Sequence, residues 1–290
     1  MAIRERYIDP FTDFGFKKLF GSEPHKDLLI DFLNQLLKGQ KHIQNLTYSK
    51  NEHLGKTDEY RKAVFDLYCE NEKGEKFIIE LQKVKQQYFK DRSIYYATFP
   101  IQEQAPEGEN WNYQLQEIYT IGIMDFAFDN THLDQFQHEV KLVETKTKEV
   151  FYNKLTFIYL EMPKFNKSED ELVSHFDKWL YLLKNLNRFT EIPTVLQERI
   201  FRKVFTIAEV SNLNEEEMKT YEASLKDKRD WKNALDTALE EGREKGMKEG
   251  MKEGMKKRNL EIAKNLKQAG VTIEIIAQTT GLSISEIEKL

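Results

Sequence analysis

The sequence predicts an α/β core that is followed by a helical C-terminal half and tail. Three runs rich in Ile, Tyr, Val and Phe, at residues 116–128, 139–145 and 155–161, have the composition of strands. After Pro163 the apolar residues recur at helical spacing instead. With 290 residues, of which 40% are apolar, the chain can form one large domain or two smaller ones.

Two helices are predicted before the first strand. The aromatic segment 11–20 predicts a short helix. A longer helix is expected to begin at Ser22, a capping residue that is soon followed by Pro24. It would run to about Leu37, where Gly39 follows as a typical stop signal.

Four more helices are expected later in the chain. The first covers residues 91–104 and is interrupted by Pro100, because proline cannot donate a backbone hydrogen bond inside a helix. The others cover residues 169–186, 194–209 and 215 to about 241. The strands are therefore bracketed by helices, as in an α/β core.

An acidic hairpin is the most informative local feature of the chain. The strand predicted at 76–84 places Glu80 and Gln82 on one face, because side chains alternate along a strand. A three-residue loop at 72–74, with its glycine left-handed, would set Asp66 directly opposite Glu80. A two-residue turn would place Asp66 on the far face. We favour the three-residue loop.

The two carboxylates of this hairpin predict a metal site. Asp66 and Glu80 each lie within a strand-like run, where acidic residues are rare. A buried acid is costly unless it is paired or binds a metal. Mg²⁺ is held by one or two carboxylates together with substrate phosphates. The alternative is the solvated face of an edge hairpin, which would need no metal.

The hairpin resembles the metal-binding signature of the PD-(D/E)XK nuclease superfamily, in which an Asp is followed by a short hairpin and Glu-x-Lys. The variant that ends in Gln resembles the Rpn family of recombination-promoting nucleases and transposases within that superfamily. The segments YIDPFTDFGFKKLFG, FKDRSIYYATFPIQEQA, YTIGIMDF and LTFIYLEMPKFNKSEDEL resemble the same family. The resemblance implies a restriction-endonuclease-like mixed sheet flanked by helices.

The resemblance also implies the residues that hold the metal. Asp66, Glu80 and the backbone carbonyl of Leu81 would bind Mg²⁺, or Mn²⁺ in its place. Gln82 stands where the superfamily has a lysine, and it can orient a water molecule without supplying charge. Asp13 matches an acidic residue on the family's first helix and would hold a second metal or its water. The alternative is that Asp13 caps that helix.

Three basic residues are candidates for contact with DNA. Lys17, one turn after Asp13, would contact a phosphate or neutralise Asp13. Arg92 would contact the DNA backbone, with Tyr95 and Tyr96 either stacking on bases or packing in the core. The Lys83–Lys85 stretch is a local basic patch, although Lys83 is predicted on the strand face opposite Gln82.

The chain is expected to divide into three parts. Residues 1–235 would form the nuclease-like domain, residues 236–259 a helical linker and residues 260–290 a small helical tail that resembles a helix-turn-helix. In the linker, Gly and Met each recur every four residues, which keeps each set near one helix face. Two interpretations of the linker are left open: a partly helical spacer, or a surface for self-association into a homodimer. Two interpretations of the tail are also left open: DNA targeting, or docking of another protein.

Composition limits the remaining choices. The net charge of −5 argues against tight non-specific binding to DNA, although local basic patches can still bind it. The chain has no membrane-spanning run and no signal peptide, and its only cysteine is Cys69, so we expect a cytoplasmic protein without contact with membranes.

The expected function is metal-dependent endonucleolytic cleavage of DNA, linked to recombination or mobile elements. The alternative is a catalytically silent DNA- or protein-binding module on the same fold. Transposase strand transfer ranks last, because no end-recognition element is evident.

Overall fold

A computed structural model describes residues 5–49, 52–53, 63–105, 111–128 and 135–290. The α-helices are α1 (Asp13–Phe20), α2 (Lys26–Leu36), α3 (Phe89–Glu103), α4 (His175–Asn185), α5 (Arg199–Ala208), α6 (Glu215–Gln268), α7 (Ile273–Thr280) and α8 (Ile284–Glu288). The strands are β1 (Leu46–Tyr48), β2 (Glu52–His53), β3 (Ala63–Val64), β4 (Leu67–Asn71), β5 (Lys76–Gln82), β6 (Ile118–Met124), β7 (Gln137–Val143) and β8 (Val150–Glu161).

The central sheet is mixed, with the strand order β1-β4-β5-β6-β8-β7. Strands β5, β6 and β8 are parallel, while β1, β4 and β7 run antiparallel to their neighbours. Strands β2 and β3 form a separate two-stranded pair. A mixed sheet with flanking helices and a helical C-terminal half confirms the predicted fold class.

The sheet lies between two layers of helices. One face packs against α1, α2, α4 and α5 in the main hydrophobic core, where Phe20, Phe32, Trp179 and Phe201 form a cluster of contacting rings. The other face is covered by α3. There Gly122 of β6 leaves room for a ring, because a Cβ at Gly122 would lie 3.2 Å from Cζ of Phe89. The glycine therefore lets α3 approach the sheet.

The hairpin between β4 and β5 has the three-residue loop that the sequence predicted. Gly74 is left-handed, with φ of +78°, and the N–H of Asn71 donates to the carbonyl of Glu75 at 3.0 Å. The register pairs Leu67 with Ile79. Counting one residue outward from that pair places Asp66 opposite Glu80.

Several helix and strand boundaries differ from the prediction. Strand β5 ends at Gln82 instead of residue 84, and α3 continues through Pro100. Because Pro100 lies in the last turn and a half of α3, it removes one backbone bond without breaking the helix. Helix α2 begins at Lys26 after a 3-10 turn, and α4 begins only at His175, where the Ser174 hydroxyl accepts a bond from the Asp177 N–H at 2.9 Å.

The helix predicted to end near residue 241 is much longer. Helix α6 contains 54 residues and includes the whole Gly/Met repeat, although each Gly costs a helix about 1 kcal/mol relative to Ala. Lys and Glu at helical spacing offset part of this cost, as where Nζ of Lys248 lies 3.7 Å from a carboxylate oxygen of Glu244.

The chain separates into two compact units, residues 1–229 and 230–290. The second unit has its own small core, formed by Ala263, Ile276, Leu282 and Ile287. Gly281 is left-handed between α7 and α8, as expected for the turn of the helix-turn-helix-like tail. The boundaries at residues 235 and 259 stay predictions. Among the described residues no helix is both long and apolar enough to cross a bilayer.

Candidate active site

Asp66 and Glu80 are joined through the backbone at the open end of the hairpin. The N–H of Leu81 donates to Oδ2 of Asp66 at 2.7 Å, and the N–H of Asp66 donates to Oε1 of Glu80 at 3.2 Å. Each carboxylate is therefore fixed by the chain segment that carries the other. The hairpin register brings the two acids together, as the sequence predicted.

Asp66 does not lie within a strand, which corrects the sequence-based expectation. It occupies a bend one residue before β4 begins at Leu67. The cause is a hydrogen bond between the two strand segments: the Asp66 carboxylate accepts the Leu81 N–H, which a backbone carbonyl of a continuing strand would otherwise accept. Glu80, by contrast, lies inside β5 and is 5% exposed.

The environment of the two acids raises the pKa of both carboxyl groups. Burial raises the pKa of Asp66 above its ordinary value, and this effect exceeds the opposing effect of the Leu81 N–H. Burial also raises the pKa of Glu80, and the negative charge of Asp66 raises it further. Two buried carboxylates that repel each other are stabilised when a cation binds between them.

Arg92 is a cation in direct contact with Glu80. Nη2 of Arg92 lies 3.5 Å from Oε2 of Glu80, and Nη1 donates to Oε1 of Gln86 at 2.7 Å. The guanidinium also lies over the rings of Phe89 and Tyr96, 5.7 and 5.3 Å from their centroids. Arg92 lowers the pKa of Glu80, but this effect is smaller than the effect of burial.

Helix α1 brings Asp13 and Lys17 towards the same carboxylates. Asp13 is the first residue of α1, and Thr12 is the capping residue, accepting the N–H of Gly15 at 2.9 Å. The expectation that Asp13 itself caps the helix is therefore wrong. Lys17 Nζ lies 2.8 Å from Oδ1 of Asp13. The Lys17 charge lowers the pKa of Asp66, and the Asp13 charge raises it.

Gln82 and Lys83 follow Glu80 at the end of β5. Gln82 is the last residue of the strand and is 8% exposed, on the same sheet face as Glu80. Lys83 was expected on the opposite face. Because β5 ends at Gln82, strand alternation no longer fixes the direction of Lys83, and its charge lies near enough to lower the pKa of Asp66.

The two tyrosines after the hairpin have different surroundings. Tyr96 is half-buried, and its ring centroid lies 5.1 Å from that of Phe65. Tyr95 is 43% exposed, so the interpretation of Tyr95 as a core residue is wrong. The two side chains point differently because adjacent residues on a helix are about 100° apart.

Comparison with known proteins identifies the family of the chain. Residues 10–238 match the family model described as PD-(D/E)XK nuclease family transposase. The chain belongs to this family. No curated protein and no solved structure matches the chain. The matched range contains Asp13, Asp66, Glu80 and Arg92 and ends before the Gly/Met repeat.

Members of the PD-(D/E)XK nuclease family are in general dependent on divalent metal ions, and the donor set of this chain fits such an ion. Asp66 and Glu80 supply two hard oxygen ligands, as Mg²⁺ requires. The N–H of Leu81 points towards Asp66, and in a strand the carbonyl of a residue faces the same edge as its N–H. Within the described residues no cluster of three or more His, Cys, Asp or Glu could hold a metal, so substrate and water would complete the shell.

Sequence reasoning missed one feature beside the carboxylate pair. A cleft at the start of α3 is lined by Gln86, Gln87, Tyr88, Asp91, Arg92 and Tyr95. The signal was present in the sequence, because Tyr88, Asp91, Arg92 and Tyr95 follow the spacing of one helix face.

Proposed function

We propose that the protein is a Mg²⁺-dependent deoxyribonuclease, an endonuclease that hydrolyses phosphodiester bonds of DNA in recombination or in the movement of mobile elements. Mn²⁺ would replace Mg²⁺ at the same ligands. The observation that supports this most directly is the buried pair of Asp66 and Glu80, which is cross-linked through the backbone and in which burial and the charge of Asp66 raise the pKa of Glu80. The chain's membership of a nuclease family gives the pair its chemical context.

In this proposal Asp66, Glu80 and the carbonyl of Leu81 hold the metal. A bound divalent ion would stabilise charge on the scissile phosphate and make a water molecule more acidic. Gln82 lies on the face of Glu80, so its carboxamide can accept a hydrogen bond from that water and orient it. Because Gln82 is neutral, Arg92 and Lys17 are the residues that supply positive charge near Glu80.

Three basic side chains would contact the DNA backbone. Lys17 is 43% exposed and can reach a phosphate while it remains paired with Asp13. Lys83 acts electrostatically on Asp66, and Arg92 contacts Glu80. These charges surround the carboxylates, so a phosphate drawn towards them would arrive beside the metal site. A local basic rim of this kind is compatible with a net charge of −5.

Cleavage of supercoiled plasmid tests the proposal. We expect nicking or linearisation with Mg²⁺, none with EDTA, and a rate at least about 100-fold lower in Glu80→Gln and Asp66→Asn. The loss should exceed the roughly 10–100-fold effect of removing an outer-shell partner of a metal site. Asn and Gln keep the size of the side chains, so the variants should remain folded.

Glu75→Gln is the matched control, because Glu75 is an equally buried acid at the other end of the same hairpin. It should cut within about threefold of the wild-type rate, as expected for a residue outside the reacting site. An intact plasmid in every lane, with folded protein, would contradict the nuclease assignment. It would favour the silent binding module, particularly if the protein shifts DNA without breaking it.

We also propose that the Gly/Met repeat of the linker, within α6, carries self-association into a homodimer. Met247, Met251 and Met255 are all more than 60% exposed, and a Cβ at Gly246 or Gly250 would meet no neighbour within 4 Å. An apolar and small-residue surface on α6 can accept a second copy of the helix. Light scattering should give a dimer mass for the full-length protein, whereas a monomer mass would contradict this proposal.

A further inference from the structure

A cleft of about 400 Å³ lies beside the carboxylate pair, at the start of α3. Its walls are formed by Gln86, Gln87, Tyr88, Asp91, Arg92 and Tyr95. Arg92 belongs to both places, because its guanidinium contacts Gln86 of the cleft and Glu80 of the carboxylate pair. A ligand in the cleft would therefore lie next to a phosphate bound at the carboxylates.

The cleft presents two tyrosines to solvent. Tyr88 is 67% exposed and is the capping residue just before α3, while Tyr95 is 43% exposed and lies about two turns further along, and both line the cleft. Asp91 and Arg92 lie between them along the chain and line the same cleft. Exposed aromatic rings beside a charged residue form a stacking surface for nucleobases.

The polar groups of the cleft suit a base better than a phosphate. Asp91 would repel a phosphate, but it can accept a hydrogen bond from the exocyclic amino group of a base. Gln86 and Gln87 carry amide groups that both donate and accept, which is the requirement for contact with a base edge. The volume lies within the range of about 300–1,000 Å³ that is usual for small-ligand sites.

We propose that this cleft binds an unpaired nucleobase of the DNA substrate, stacked on Tyr88 and Tyr95. The inference rests on the proposed DNA-cleaving function and specifies its substrate class: single-stranded DNA, or duplex DNA in which one base has left the stack. In a closed duplex the base faces would be covered by neighbouring bases and could not reach the two rings. Arg92 would set the spacing between the bound base and the phosphate at Asp66 and Glu80.

Binding of oligonucleotides that contain 2-aminopurine tests this inference without cleavage. Full-length protein is titrated in EDTA into a single strand and into the matching duplex, while base fluorescence and anisotropy are recorded. The wild type should bind the single strand more tightly and quench its fluorescence through stacking. Tyr88→Ala and Tyr95→Ala should each weaken binding about 10-fold and reduce the quenching. Tyr113→Ala, which removes another strongly exposed tyrosine, should match the wild type.

Three outcomes would overturn the inference: tyrosine variants that bind and quench like the wild type, a duplex bound as tightly as the single strand, or no binding of either DNA. The same samples are used in the plasmid assay, which separates the two proposals. If Tyr88→Ala still cuts but binds and quenches like the wild type, the base site is wrong and the nuclease assignment stands. If the wild type quenches the single strand but leaves plasmid intact, the base site stands without catalysis.

Discussion

The hairpin of β4 and β5 buries one glutamate at each end, and the two glutamates have different hydrogen-bond and charge partners. Glu75 next to the turn and Glu80 at the open end are both 5% exposed. Glu75 is fully supplied with partners, because Lys41 Nζ lies 2.6 Å from Oε1 and Asn71 Nδ2 lies 2.6 Å from Oε2. Glu80 instead shares its surroundings with a second acid, Asp66.

The titration behaviour of the partners shows the same difference. Burial lowers the pKa of Lys41, but hydrogen bonds to Glu117 and Glu75 raise it overall. Burial raises the pKa of Glu117, but Lys41 and Tyr119 lower it overall. At the open end burial prevails, and the pKa of Glu80 is raised. Burial is therefore the same for the two glutamates, and they differ in the charges that surround each of them.

The largest predicted effect follows from making the turn end resemble the open end. Lys41→Met leaves the buried Glu75 without its cation, beside Glu117. Breaking a buried ion pair in this way costs about 3–5 kcal/mol, so the free energy of unfolding should fall by that amount. Urea denaturation measures it. Lys203→Met, which breaks an exposed pair with Asp27, should cost at most about 1 kcal/mol, and equal losses would show that the two pairs do not differ.

Metal ions should stabilise the open end in a pH-dependent way. A raised carboxyl pKa contributes stability below the ordinary carboxyl pKa, and that stability is lost as pH rises through the raised value. In EDTA the free energy of unfolding should therefore decrease as the pH rises from the ordinary carboxyl pKa to the raised pKa of Glu80. Mg²⁺ at about 100 times its dissociation constant should add about 2.7 kcal/mol, most at the higher pH. No gain from Mg²⁺ in thermal melts, or a gain retained by Glu80→Gln, would contradict a metal site at this pair.

Neutral substitutions at the two ends should change stability in opposite directions. Glu75→Gln weakens charged hydrogen bonds and should cost about 2 kcal/mol. Gln is neutral in both the folded and the unfolded protein, so Glu80→Gln removes the cost of protonating or burying the Glu80 carboxyl, and in EDTA at neutral pH it should raise the free energy of unfolding by about 1 kcal/mol. Parallel urea titrations compare them. A destabilising Glu80→Gln would mean that Glu80 is a structural acid like Glu75.

Much of the hairpin could be predicted from the sequence because its determinants are local. A glycine in the third loop position selects the turn, and strand alternation then fixes which side chains meet. The same local rules misplaced Asp66 within a strand, because its carboxylate accepts a backbone N–H from Leu81 and so ends the ladder. That bond depends on the register of two strands and is not visible in either strand alone.

Features that depend on packing between distant segments could not be predicted. The contact of Arg92 with Glu80 requires α3 to lie against the sheet, which Gly122 allows. The compensation of Glu75 requires Lys41 from the segment before β1. The length of α6 was missed because glycine propensity was given more weight than the Lys and Glu residues between the glycines.

The smallest predicted effects test whether α1 contributes to the open end. Lys17 lowers the pKa of Asp66 and Asp13 raises it, so Lys17→Gln should shift the pH midpoint of Mg²⁺-dependent stabilisation upwards and Asp13→Asn should shift it downwards. Since both side chains are about half exposed, each shift should be about 0.5 pH unit or less. Lys248→Gln in the linker is the control, because Lys248 is likewise paired with an acid four residues away, Glu244, and it should leave the midpoint unchanged. Shifts of Lys17→Gln and Asp13→Asn in the same direction would indicate a general disturbance of α1 instead of two opposed charges. Opposite shifts would show that the charges of the first helix tune the pKa of the hairpin carboxylates in the directions given by Lys17 and Asp13.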